Sequence, residues 1–133
     1  MREHVLADYL EGRADAAALS KEFFWFFHGR GWASAAVRDL AVPLLVRPAH
    51  LARVCEDVMD GRLEPSMMEA VACALLGSPS FVLGPSVDGR LASVLLREWA
   101  HRDLGRAFDV ADARGSLERM EPVVAPERLA TAA

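Results

Sequence analysis

Long apolar runs are missing from this 133-residue chain, and with them any stretch of the roughly 20 consecutive apolar residues that a membrane-spanning helix needs. The opening residues, Met1 to Leu10, are charged and lack the apolar core of a secretory signal, so a cytoplasmic protein with no membrane partner is expected. Cysteine is scarce. Cys55 and Cys73 both fall within apolar helical patterns, which suits buried, reduced thiols and excludes a disulfide framework. Lysine is nearly absent, since 14 of the 15 bases are arginine, and no segment concentrates them into a face for phosphate. Nucleic acid is therefore not an expected partner. Strict apolar–polar alternation over any length able to pair is also lacking, which excludes a sheet as the organising layer.

What remains is helical spacing, divided by Gly and Pro into about six helices. An all-α, single-domain helical bundle is expected over residues 1–120, followed by a flexible tail over 121–133 that holds two prolines and a run of small residues. A first helix, Glu3 to Glu11, stops at Gly12, a natural left-handed terminator. Asp15 can cap a second helix reaching about His28, with Leu19, Phe23, Phe26 and Phe27 as its apolar stripe. Phe24 and Trp25 fall outside that stripe. Phe23 to Trp32 holds six of the ten aromatics, so this helix is either central or presents an adhesive outer face. Ala33 to Val46 keeps helical spacing but should kink or break at Pro43.

A helix from Pro48 to Gly61 turns Leu51, Val54, Cys55 and Val58 inward and Glu56, Asp57 and Asp60 to the opposite side, with Arg53 placed to pair with Asp57 at i+4. Ser66-Met67-Met68-Glu69 has the pattern of a capping box for a helix ending at Leu76 that buries Met67, Ala70, Val71, Ala74 and Leu75. Phe81 to Leu83 is too short for an independent sheet and is expected as an extended connector pinned by Phe81. Asp88 can cap a helix carrying Leu91, Val94, Leu95 and Trp99 inward, and a weaker one follows from Asp109 to Met120, interrupted at Gly115.

No motif for nucleophilic catalysis is present, and Gly29-Arg30-Gly31 follows a helix instead of opening one, so it is a stop and not a phosphate cradle. Of the four histidines, His4 is spaced to pair with Asp8, and Glu98 with His101 has the Glu-x-x-His spacing of carboxylate-bridged di-iron bundles. The second such motif that a di-iron site requires is missing, so no metal or cofactor is expected; a helical metal protein or enzyme using Glu98 and His101 stands as the alternative. Charge is unevenly placed. Cys55 to Glu69 holds five acids against Arg62 alone, leaving 14 acids and 14 bases elsewhere, so this stretch accounts for the net charge of −4. Such a surface favours a cationic protein partner. The expected binding residues are Glu56, Asp57, Asp60 and Glu64, with Phe24 and Trp25 as apolar anchors; joining of copies through Phe24, Trp25 and Trp32 into a homodimer or larger oligomer is the other possibility.

Two stretches carry a resemblance. Leu6-Ala7-Asp8-Tyr9-Leu10-Glu11-Gly12, with Leu19 and Phe23 after it, resembles the first hairpin of small helical bacterial immunity proteins of the colicin D and contact-dependent inhibition type. Asp60-Gly61-Arg62-Leu63, Ala74 to Phe81, Asp88-Gly89 and Leu95 to Trp99 are similar to uncharacterised bacterial proteins of this size. The resemblance implies a protein without chemistry of its own that blocks a cationic toxin domain by occupancy, with Glu56, Asp57, Asp60 and Glu64 at the matching positions.

Overall fold

The computed structural model describes residues 2–29, 39–101 and 107–132, with side chains over 2–24, 39–101 and 107–129. In chain order the elements are α1 (Glu3–Leu10), α2 (Ala16–Gly29), β1 (Leu44–Val46), α3 (Pro48–Met59), α4 (Met67–Leu76), β2 (Phe81–Leu83), α5 (Val87–Ala100) and α6 (Val110–Ala132). The protein is an all-α bundle with one minor, two-stranded sheet among the described residues.

Two of the helices end in the same way, and the residues responsible are spaced alike. In Asp8-Tyr9-Leu10-Glu11-Gly12-Arg13 and Asp57-Val58-Met59-Asp60-Gly61-Arg62 the glycine takes a positive φ, +82° at Gly12 and +76° at Gly61, which a side chain would resist. The Arg13 and Arg62 amides then donate back to the carbonyls of Asp8 and Asp57 at 2.7 and 2.8 Å, while the Gly12 and Gly61 amides reach Tyr9 and Val58. This is the Schellman closure, which satisfies carbonyls the helix would otherwise leave open. In each case the arginine side chain also pairs with the aspartate that its own amide meets, Arg13 with Asp8 at 3.0 Å and Arg62 with Asp57 at 3.2 Å.

At the other ends, Asp15 caps α2 as expected, its Oδ1 accepting the Ala18 amide at 2.8 Å. The expected Ser66–Glu69 box does not form. Ser66 already has helical dihedrals and its hydroxyl makes no capping bond, because the turn Glu64–Met68 winds up before it. At the start of α3 a side chain does bond back to the N-cap: the His50 Nδ1 accepts the Arg47 amide at 3.0 Å, while the His50 amide donates to the Arg47 backbone carbonyl. Ser86, not Asp88, caps α5, its Oγ accepting the Gly89 amide at 3.2 Å.

α3 is the hub of the packing: it meets α1 and α5 and lies along α6, while α4 packs on α5. Its stripe Leu51, Val54, Cys55 and Val58 is buried as the spacing requires, against Leu6 and Tyr9 of α1, Leu95 and Leu96 of α5, and Met120 of α6, all part of one core. Leu19 and Phe23 of α2 and Val71 and Leu75 of α4 join it. On α5 the inward face is Ala92, Leu95, Leu96 and Trp99; Val94, expected inside, is exposed.

Three expectations about elements need correction. The helix sought over 33–46 is not there in its described part: residues 39–43 are irregular and Leu44–Val46 is a strand. Phe81–Leu83 is its partner, not a free connector, in a parallel ladder with Leu44 opposite Phe81 and Val46 opposite Leu83. Parallel strands require a long crossover, and α3 with α4 supplies it. Phe81 is buried, as expected of a pin. The last helix neither breaks at Gly115 nor ends at Met120; it runs to Ala132 through Pro122 and Pro126, with Val124 buried.

Candidate docking groove between α3 and α6

The acidic segment divides into paired and unpaired carboxylates. Asp57 was expected to face solvent, but it lies only 7% exposed, with its Oδ2 accepting the Tyr9 hydroxyl at 2.5 Å and its Oδ1 facing Arg62. Burial, and then the hydrogen bond to Asp57, push the Tyr9 phenol well above its ordinary value, so it stays a donor. Arg53 does not pair with Asp57 at i+4. Its guanidinium lies 4.8 Å from the centre of the Tyr9 ring and donates to the Ala14 carbonyl at 3.0 Å, tying α3 to the α1–α2 turn. Arg62 also reaches Asp60 at 3.1 Å, and Glu56 pairs with Arg128 of α6.

Three of the four expected binding acids thus have a cationic partner within the chain. Among the described residues Glu64 and Glu69 of this segment make no ion pair, and both are exposed. Glu69 is free of the capping role foreseen for it.

Glu56 sits on the lip of a groove of about 390 Å³ between α3 and α6. Leu117, Val124 and Leu129 give it an apolar lining, and Glu121 and Arg128 share the lip with Glu56. Leu129 is 73% exposed. None of the α6 residues was anticipated at a site: Glu121 to Leu129 fell in a segment that two prolines and small residues made read as a tail, and Leu117 in the weaker helix expected before it. The signal was nevertheless present: Ala113, Leu117, Met120 and Val124 keep helical spacing past Pro122.

The other expected residues whose side chains are described do not line this groove. Phe24 stands exposed on α2, and the Trp25 side chain and Trp32 lie outside the described residues. His4 pairs with Asp39, its Nδ1 2.5 Å from Oδ2, not with Asp8, which Arg13 holds. Glu98 is bound to Arg119 at 2.5 Å, and His101 is the exposed C-cap of α5. Among the described residues no cluster of three or more His, Cys, Asp or Glu is arranged to hold a metal. Burial pushes the Cys55 thiol up to about 12, helped by Glu56, which leaves it protonated and unreactive. No described helix is long and apolar enough to cross a membrane.

Comparison with known proteins finds no matching family model, no matching curated protein and no matching solved structure.

Proposed function

We propose that the chain is a non-enzymatic interaction module that receives a cationic protein segment in the α3–α6 groove. The observation behind this is the conjunction of an apolar floor with a lip that holds two carboxylates, Glu56 and Glu121, against one guanidinium, Arg128. Asp60 lies one turn further along α3. Charge would steer the partner and set its register, while affinity would come from an aliphatic or aromatic side chain seated against Leu117 and Leu129. In its most concrete form the module is a bacterial immunity protein that masks the basic surface of a toxin domain, as the resemblance of its first hairpin implies.

Binding to the product of the neighbouring gene tests this. Leu129→Arg and Glu121→Arg, both at groove positions, should each weaken the complex by about tenfold or more, equivalent to ~1.4 kcal/mol. The complex should also loosen as salt rises. Retention of full affinity by both variants would remove the groove from the account.

A second surface favours self-association. Leu45 and Val82 face each other across the ladder and both point outward, with Val42 and Val87 exposed close by in sequence. An apolar outer face on a two-stranded sheet is one that a second copy can cover.

A further inference from the structure

His50 is a buried imidazole surrounded by charge from three elements. It stands in the first turn of α3, where its Nδ1 accepts the Arg47 amide at 3.0 Å. That contact leaves the proton of the neutral ring on Nε2, which faces Glu11 Oε1 at 3.4 Å, just beyond the end of α1. The Arg47 guanidinium lies 3.5 Å from the same nitrogen and donates to Glu127 of α6 at 3.0 Å. The ring and Arg47 together therefore join the α1–α2 turn, the start of α3 and the far part of α6.

We propose that His50 is the pin of an acid-sensitive clasp: uncharged it caps α3 and, through Arg47, secures the start of α3 beside α6, and on taking a proton from solvent at Nδ1 it lets go of Arg47 and loosens that junction. The release is confined to the Arg47 side of the ring, since the Nε2 proton faces Glu11 in both charge states. A protonated Nδ1 becomes a donor facing the Arg47 amide, also a donor, so the capping bond is lost with the proton's arrival. The new charge is buried beside the Arg47 guanidinium, and only the partly exposed carboxylates of Glu11 and Glu127 oppose it. The clasp stands whether or not the groove has a partner.

Burial holds the imidazole below its ordinary range, against the pull of Glu11 and Glu127 and with the help of Arg47. The unfolded or opened chain then binds more protons than the closed one below pH about 6.5. Closure is complete above that value and weakens as pH falls through it, levelling off beneath the closed-state value.

Heteronuclear NMR from pH 8 to pH 5 tests the clasp. The His50 ring should titrate below the usual imidazole value, and the Arg47 amide should move with the same midpoint. Amide exchange in the first turn of α3 and around Glu127, corrected for its intrinsic pH dependence, should speed up by as much as about tenfold per pH unit in that window. His50→Gln keeps an acceptor for the Arg47 amide but cannot gain a proton, so its exchange should stay flat. An Arg47 amide that stays in place down to pH 5, a His50 that titrates at or above its ordinary value, or a His50→Gln variant as acid-sensitive as wild type would each overturn the proposal. Should that variant fail to fold, the titration of the wild-type chain decides alone.

Discussion

Asp57 shows how a residue on the polar side of a helix ends in the interior. Seen along α3 alone it belongs with Glu56 and Asp60, but Tyr9 arrives from α1 with a hydroxyl that needs an acceptor, and Arg62 folds back after the Gly61 stop. The carboxylate is enclosed because both partners are in place, and a charge-reversal at this position would bury an unpaired cation. Glycines separate local preference from packing in the same way. A Cβ at position 89 would overlap the carbonyl oxygen of Gly84 and lie 2.9 Å from its amide nitrogen, whereas one at position 115 would meet nothing within 4 Å. Both sites are helical. Gly89→Ala should therefore destabilise by the upper part of about 1–3 kcal/mol, as overpacking does. Gly115→Ala should stabilise by roughly 0.5–1 kcal/mol through the unfolded state. Paired urea melts check the contrast; two changes of equal sign would mean that the α5–β2 contact is looser than described.

At the scale of elements, α6 is the one most altered by its surroundings. Pro122 and Pro126 each remove an amide donor from the helix interior, a loss that on its own would favour ending it. Three contacts along its later half offset that cost: Val124 is buried in the core, Arg128 reaches Glu56, and Glu127 reaches Arg47. The ion pairs are half exposed and contribute little each, so burial of Val124 dominates. Removing residues 121–133 should cost about 2 kcal/mol, the scale of one buried aliphatic side chain with modest help. The transition midpoint in denaturant reads this directly, and an unchanged midpoint would show that the helix beyond Met120 adds nothing to the fold.

For the whole molecule, the net charge of −4 is less concentrated on the segment from Cys55 to Glu69 than the order of residues suggests. Guanidiniums of the same chain neutralise much of the acidic segment, and the apolar surface is split between the α3–α6 groove and the outer face of the sheet. These two faces predict separable behaviour. If the sheet face joins two copies, the wild-type mass measured by light scattering rises toward that of a dimer with concentration, and Leu45→Glu abolishes the rise while leaving the melt unchanged. A mass that stays monomeric throughout would assign Leu45 and Val82 no role in self-association.

Asp-Gly-Arg-Leu occurs twice in the chain, at 60–63 and at 88–91, and its two fates divide what is local from what is not. Local sequence alone determined the helical class, the inward stripe of α3 and the stops at Gly12 and Gly61, since each depends on residues within about one turn. At 60–63 the glycine closes a helix that is already formed; at 88–91 it lies in the first turn of α5, packed against the backbone of Gly84 and positioned by the Ser86 cap. Only the tertiary structure decided that Leu44–Val46 and Phe81–Leu83 are strands, that Asp57 is interior and that α6 passes through two prolines. Each of those outcomes rests on a partner far along the chain, up to 72 and 80 positions away for the ion pairs of α6, and no nearest-neighbour preference can register a contact made at that separation.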